Sequence, residues 1–134
     1  MFEKGKLYNR RRDIHGRFKG QPQGGISTPR EHPLIFLFTG RRGEPYGYRD
    51  GYGPKGSFWY TGEGQVGDME FKRGNRAIRD HAANGKRIYL FKEAGKGIRF
   101  VSEVRYVGHR IEQRPDRNDK QRKAIVFELE LLPG

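Results

Sequence analysis

The sequence predicts a mainly β domain with a flanking helix, of the α+β class, built as a mostly antiparallel barrel or curled sheet. Glycine accounts for 20 of the 134 residues and only 33% are hydrophobic, which favours short strands joined by many turns. Several short apolar runs have a strand-like pattern, and only one segment has a helical pattern. Strands and helices do not alternate as they do in parallel βαβ folds. The length fits one domain over residues 1–134, without an internal boundary or repeat.

The strands are predicted from apolar runs and from alternation of apolar and polar residues. Leu34–Thr39 and Phe58–Thr61 are short runs that each end at a glycine, which indicates two buried strands. A further strand is predicted for residues 87–92, and two longer strands are predicted for residues 98–111 and 124–132. In the last of these, one face carries Ile125, Phe127, Leu129 and Leu131. The charged link at residues 112–123 is expected to form a hairpin connection.

The helix is predicted for residues 75–84. Asn75 is of the residue type that caps a helix N-terminus, and Gly85 is suited to end the helix. Helical spacing would place four side chains on one face, those of Ala77, Ile78, His81 and Ala82.

The net charge of +12 bears on binding partners rather than on fold. A polyanion is the natural partner, and a nucleic acid fits better than a membrane, because no basic amphipathic helix is present. The alternative is a solvated basic surface. The absence of cysteine excludes disulfides and thiolate metal sites and is compatible with a reducing cytoplasm. The polar N-terminal segment lacks the apolar region of a signal peptide, so we expect a cytoplasmic protein.

Motifs for cofactor or metal chemistry are weak. Residues 62–67 match the G-x-G-x-x-G dinucleotide fingerprint, but Asp68 and Glu70 follow where a phosphate would lie, and no βαβ pattern surrounds them. We interpret the motif as a glycine turn and expect no cofactor. The four histidines lack metal-ligand spacing, and no nucleophile–base set stands out, so we expect no metal and no catalytic residue.

A cluster of aromatic and polar residues around tight glycine turns suggests a nucleobase pocket. Aromatic faces stack on bases, and a carboxylate can accept from the exocyclic amine of cytosine. From composition alone, a nucleobase pocket and an ordinary aromatic core are equally good interpretations of these residues. The candidate pocket residues are Gly47, Tyr48, Asp50, Tyr60 and Thr61.

The same residues resemble a known family. Gly25-Ile26, Gly47-Tyr48-x-Asp50, a Phe58-to-Gly64 motif and Gly74-Asn75-Arg76-Ala77-Ile78 occur in this order. This order resembles the SET- and RING-associated (SRA) domain, in particular the bacterial type at the N-terminus of HNH-type restriction endonucleases that cut modified DNA. The resemblance implies a curled PUA-like β-barrel.

The resemblance also implies a function, namely binding of duplex DNA and flipping of a 5-methyl- or 5-hydroxymethylcytosine into a pocket. Tyr48 and Tyr60 would sandwich the base, Asp50 would accept from its amine, and Thr61 with the Gly47 backbone would read its edge. Loops entering the grooves would carry Gln23, Gly24, Gln65, Lys72 and Arg73. Phosphate contacts would come from Arg10, Arg11, Arg12, Arg17, Lys19 and Arg76.

Two other functions remain open from the sequence. PUA-like barrels also serve RNA, so an RNA-binding module is the main alternative, and a nuclease acting by itself is the weaker one. Because the HNH nuclease of the family lies outside this sequence, we expect the chain to be the recognition part of a longer enzyme. Leu132-Pro133-Gly134 would then lie at a domain edge.

Overall fold

A computed structural model describes residues 1–40 and 50–134 of the chain. Its strands are β1 Leu7–Tyr8, β2 Ile26–Ser27, β3 Leu34–Thr39, β4 Gly51–Tyr52, β5 Phe58–Thr61, β6 Arg87–Ala94, β7 Gly97–Pro115 and β8 Gln121–Leu131. The helical segments are a π-helix at Arg10–His15, α1 at Gly16–Phe18 and α2 at Arg73–Arg79. None of the helices in these residues has the length and apolar character needed to cross a membrane.

The strands form one sheet in the order β2-β3-β6-β7-β8-β5-β4, with β1 added to β7. Only β3 and β6 pair in parallel among the described strands, and the other pairs are antiparallel. The mainly β class and the mostly antiparallel pairing are therefore confirmed. The sheet is curled but open rather than a closed barrel, because the described parts of β2 and β4 are not paired with each other.

Strand β7 joins the two sides of the sheet. Its first part pairs with β6, and from Val104 onward it pairs with β8. A register shift between Tyr106 and Gly108 adds a bulge, which bends a strand and increases its twist. The strand runs beyond the predicted residues 98–111 because most of the charged link continues the β7–β8 ladder. The chain reverses in a turn where the Asp116 carboxylate accepts from the backbone N–H groups of Asn118 and Lys120.

Strand β3 supplies hydrophobic side chains to both faces of the sheet. Ile35 and Leu37 belong to one buried cluster, and Phe36 and Phe38 belong to a second cluster rich in aromatic rings. Successive side chains of a strand point to opposite faces, so a fully apolar run indicates cover on both sides. The face of the sheet that carries Phe36 and Phe38 must therefore be covered by a segment outside the predicted strands.

The N-terminal segment provides that cover, and the sequence analysis assigned it no structure. Ile14 in the π-helix and Phe18 in α1 are buried in the aromatic cluster. The ring of Phe2 lies 5.1 Å from that of Phe91. Apolar residues are too sparse in this basic segment to show helical periodicity, so its packing role was missed.

Helix α2 differs from the predicted helix over residues 75–84. It begins at Arg73 and ends at Arg79, and residues beyond it form turns. The prediction that Asn75 caps the helix is wrong, because Asn75 lies inside it and is buried. Ala82 is exposed. His81 is buried as a structural residue: its Nδ1 is 2.8 Å from the Lys86 carbonyl oxygen.

Asn75 instead fastens the loop that precedes the helix. Its Oδ1 accepts from the Glu63 N–H at 2.8 Å, and its Nδ2 lies 2.9 Å from the carbonyl oxygens of both Glu63 and Glu70. The glycine motif within this loop contains bends, and Gly64 and Gly67 adopt φ of 137° and 73°, the unusual backbone angles expected of its glycines. These contacts explain why an asparagine occupies a buried helical position.

We predict that Asn75→Ala lowers the free energy of unfolding by about 2–4 kcal/mol, because one backbone donor and two acceptors lose a buried partner. Urea denaturation measures the change. Asn84→Ala is the matched control, since Asn84 is exposed, and it should change stability by less than about 0.5 kcal/mol. Equal effects of the two substitutions would contradict this role of Asn75.

Candidate nucleic-acid interface

A cavity of about 230 Å³ lies where β5 approaches the segment before β2. Three of the predicted pocket residues line it, namely Asp50, Tyr60 and Thr61. Gly24 and Gly25 contribute backbone to the wall, and Glu63 contributes a carboxylate. The two other predicted pocket residues, Gly47 and Tyr48, lie outside the described residues.

Asp50 links strands from different parts of the sheet. Its Oδ2 accepts from the Thr39 hydroxyl at 2.6 Å, and its Oδ1 accepts from the Thr61 N–H at 2.7 Å. Burial raises the pKa of Asp50, and these hydrogen bonds and the charge of Arg114 oppose that rise. A carboxylate has about four lone-pair sites, so each oxygen retains capacity for a ligand donor.

Tyr60 lines the cavity from the core side and is only 3% exposed. Its hydroxyl donates to the Gly25 carbonyl at 2.7 Å and lies 3.3 Å from that of Phe38. A Cβ at Gly25 would lie 2.6 Å from the hydroxyl oxygen, so this approach requires glycine. The anchored hydroxyl fixes the orientation of the ring at the cavity wall.

Thr61 is held by a residue that the sequence analysis missed. The Thr61 hydroxyl accepts from Nη1 of Arg114 at 3.0 Å. Arg114 in turn bonds Glu112 through its Nη2 at 2.7 Å, and its side chain is only 14% exposed. No local pattern indicates this contact, since the two partners lie 53 positions apart in the chain.

Glu63 connects the cavity to helix α2. Its Oε2 accepts from the Gly74 N–H at 3.0 Å, in the first turn of the helix. Burial raises the pKa of Glu63, whereas the hydrogen bond from Gly74 and the charge of Arg73 lower it. A Cβ at Gly74 would lie 2.8 Å from Cγ2 of Ile26 and 2.9 Å from Glu63, so glycine is required there.

Arg10, predicted as a phosphate contact, lines the cavity. Its guanidinium carbon lies 3.7 Å from the centre of the Phe38 ring, and its Nε donates to Nε2 of His15 at 2.9 Å. His15 Nδ1 lies 2.9 Å from the Lys19 carbonyl oxygen, so Nδ1 carries the proton and Nε2 accepts. Burial is the main cause that lowers the pKa of His15, which favours this neutral form.

The residues predicted to enter the DNA grooves fall into two sets. Gly24 and Gln65 line the cavity, and Gln23 is exposed beside Gly24. Lys72 and Arg73 do not line it; Lys72 instead pairs with Glu70, their charged atoms 3.1 Å apart.

The other residues predicted to contact phosphate lie at the surface. Arg11, Arg17, Lys19 and Arg76 are exposed. Arg12 is exposed too, but its Nε lies 3.0 Å from a carboxylate oxygen of Asp13. Their roles stay predictions.

A curled, mostly antiparallel sheet with two short α-helices and a cavity near the end of β5 defines a PUA-like domain of the SRA type. The model of one family, described as the ScoMcrA-like SRA domain, matches residues 4–134, so the chain belongs to this family. No curated protein matches the chain.

Solved structures share this fold at low sequence identity. The structure of the sulfur binding domain and SRA domain of ScoMcrA complexed with phosphorothioated DNA matches with a TM-score of 0.79 and 21% identity. The SUVH5 SRA domain bound to fully hydroxymethylated CG DNA matches with a TM-score of 0.70 and 16% identity, over 98% of this chain and 90% of that one. The DNA modification-dependent restriction endonuclease AspBHI matches with a TM-score of 0.65 and 16% identity, over 90% of this chain and 37% of that one.

The ScoMcrA match covers all of this chain but only 41% of that one. The chain thus spans less than half the length of the ScoMcrA structure that it resembles.

We predict that the buried Asp50 carboxylate gives the folded protein a characteristic pH dependence. Its raised pKa means that the folded state holds this proton more tightly than the unfolded state, whose pKa is near 3.8. Its contribution to stability is therefore greatest below pH 3.8 and declines as pH rises through the raised pKa.

Asp50→Asn removes this titration and keeps the side-chain shape. The stability of the variant relative to the original chain should increase as pH rises from about 4 to 7, which urea denaturation measures. Glu130→Gln at an exposed position is the control and should show a smaller trend. A constant or opposite difference for Asp50→Asn would contradict the raised pKa.

Proposed function

We propose that the chain reads modified cytosine in duplex DNA by taking the flipped base into the cavity lined by Asp50, Tyr60 and Thr61. The observation that carries the proposal is this cavity, built from family motif residues in an SRA domain with a net charge of +12. DNA complexes of the ScoMcrA and SUVH5 domains support it at the level of the fold.

The energy of base flipping sets what the cavity must provide. Unstacking and unpairing a base costs a few kcal/mol, and stacking on an aromatic side chain returns about 1–3 kcal/mol per base. Tyr60 lines the cavity wall, and we propose that its ring and the ring of Tyr48 stack on the base. The 5-methyl or 5-hydroxymethyl group would add selectivity through its fit in the remaining space.

The edge of the cytosine would be read by the polar side of the cavity. The unused lone pairs of Asp50 can accept from the exocyclic amine, as acidic residues do in groove readout. Thr61 and the Gly47 backbone would complete the reading of the edge. Because Asp50 is already fixed by Thr39 and Thr61, its position would not depend on the ligand.

We further propose that the chain is a non-catalytic recognition module of a modification-dependent restriction endonuclease acting in the cytoplasm of a bacterium. Cleavage would come from a separate nuclease domain of the HNH class. The similarity to the ScoMcrA and AspBHI restriction endonucleases, each with a longer chain, supports this arrangement.

We predict tighter binding to duplexes with 5-methyl- or 5-hydroxymethylcytosine than to the same unmodified duplex, measured by fluorescence titration at fixed salt. Asp50→Asn should reduce this preference by about 1–3 kcal/mol, or roughly 5- to 150-fold, because it replaces an acceptor with a donor. Glu130→Gln makes the same chemical change at an exposed position and should keep the preference.

Equal affinity of the original chain for all the duplexes would overturn the proposal. Competition by structured RNA in preference to modified duplex would favour an RNA-binding module instead. If Asp50→Asn retains the full preference while remaining folded, the assignment of the base-reading residue is wrong.

We predict no cleavage of modified plasmid by this chain with magnesium or manganese, because its proposed role is recognition alone. Gel electrophoresis after prolonged incubation gives the result, with unmodified plasmid as the reference. Cleavage that persists on repurification and follows the protein through size-exclusion chromatography would show that the chain is itself a nuclease.

A further inference from the structure

We propose that a groove beside helix α2 binds a DNA backbone phosphate through Arg30, Arg73, Arg76 and Lys86. This inference rests on the proposed function and adds a phosphate site next to the base cavity. The groove has a volume of about 260 Å³ and is also lined by Thr28 and Asn84. Four cations with neutral hydrogen-bonding groups suit an anionic ligand with several oxygen acceptors.

Among the described residues, ion pairs do not neutralise the four cations of this groove, in contrast to several other surface arginines. Within residues 1–40 and 50–134, none of them forms an ion pair with a carboxylate. In the same residues, six other arginines each contact a carboxylate, namely Arg12, Arg79, Arg87, Arg105, Arg110 and Arg114. Like charges gathered in one groove repel one another, so binding an anion there relieves an existing cost.

Two acidic groups next to helix α2 do not neutralise the groove. Burial raises the pKa of Glu63 and the charge of Arg73 opposes that rise, while the pKa of Asp80 is lowered mainly by its hydrogen bond from Arg79 and to a lesser extent by the charge of Arg76. Glu63, however, accepts from the Gly74 N–H, and Asp80 pairs with Arg79. Both acids are thus engaged elsewhere.

Helix α2 aims two of the cations at the groove. Arg73 and Arg76 are three residues apart and therefore share a helix face, whereas Gly74, Asn75 and Ile78 are buried. Arg73 adopts a φ of 48°, in the left-handed region that favours glycine and asparagine. Non-glycine residues held in this region are concentrated at ligand-binding sites, which agrees with a functional position for Arg73.

The groove adjoins the cavity along two short paths. Ile26 lines the cavity and Thr28 lines the groove, a separation of two residues that spans at most about 7 Å of chain. On the other side, Glu63 of the cavity wall bonds Gly74, the residue after Arg73. A DNA strand that places a base in the cavity would therefore carry a flanking phosphate past the groove.

The experiment compares two charge-matched double variants of the chain. Arg76→Gln with Lys86→Gln removes two groove cations, and Lys92→Gln with Lys96→Gln removes two exposed lysines near the β6–β7 turn. Binding to modified and unmodified duplexes is measured as a function of salt concentration. The groove variant should reduce the slope of log K against log salt by about one per lost phosphate contact, for both duplexes alike.

A second measurement locates the phosphate. Single neutral methylphosphonates replace the phosphates around the modified cytosine in turn. We expect one flanking position at which neutralisation weakens binding of the original chain about tenfold but weakens the groove variant less than twofold. Neutralisation at that position should weaken binding of the Lys92→Gln, Lys96→Gln variant as much as it weakens binding of the original chain.

Each outcome decides one of the two proposals. Equal slopes for the two double variants, or no methylphosphonate position with this coupling, would overturn the phosphate site. A reduced slope on unmodified DNA, in a chain without preference for modified cytosine, would support the groove and overturn the base-reading function. If the chain prefers modified cytosine but the groove variant leaves the salt slope unchanged, the base-reading function is supported and the phosphate site is overturned.

Discussion

The Asp50 carboxylate is the contact on which the candidate site most depends, because it joins two parts of an open sheet. Thr39 ends β3, near one end of the strand order, and Thr61 ends β5, near the other. The hydroxyl of Tyr60 makes a second link, to the carbonyl of Gly25. Side-chain hydrogen bonds thus hold together strands that backbone ladders do not pair, and the cavity lies beside them. Burial makes the ionised carboxylate costly, and its two donors offset part of that cost.

The second organising group is Asn75, together with Glu63 and Gly74. Asn75 fixes the backbone of the loop after β5, and the Glu63 carboxylate in that loop meets the first turn of α2. Gly74 allows the helix to approach Ile26 closely. The cavity wall and the basic face of α2 are consequently one connected structure, so the placement of a base and of a phosphate would be set by the same few contacts.

Sequence patterns predicted the features that depend on local periodicity. Leu34–Thr39 and Phe58–Thr61 were predicted as strands with the bounds that the structure has, because each apolar run ends at a glycine. The start of α2 was placed wrongly because an asparagine of capping type serves a tertiary role at position 75. The cover provided by Ile14 and Phe18, and the contact of Arg114 with Thr61, depend on long-range packing that no local pattern encodes. The motif residues Asp50, Tyr60 and Thr61 do converge on one cavity, whereas Lys72 and Arg73 lie apart from it.

The long strand β7 has a consequence for folding. It pairs with its two chain neighbours, β6 and β8, in an antiparallel meander whose contacts form between nearby segments. The bonds around the cavity instead join distant segments, such as Gly25 with Tyr60 and Thr61 with Arg114. Closing loops of this length is entropically costly. The meander needs only short loops, so it can form before the contacts around the cavity do. We therefore expect the site to be completed late, and a ligand that binds only the completed state would stabilise the least local part of the fold.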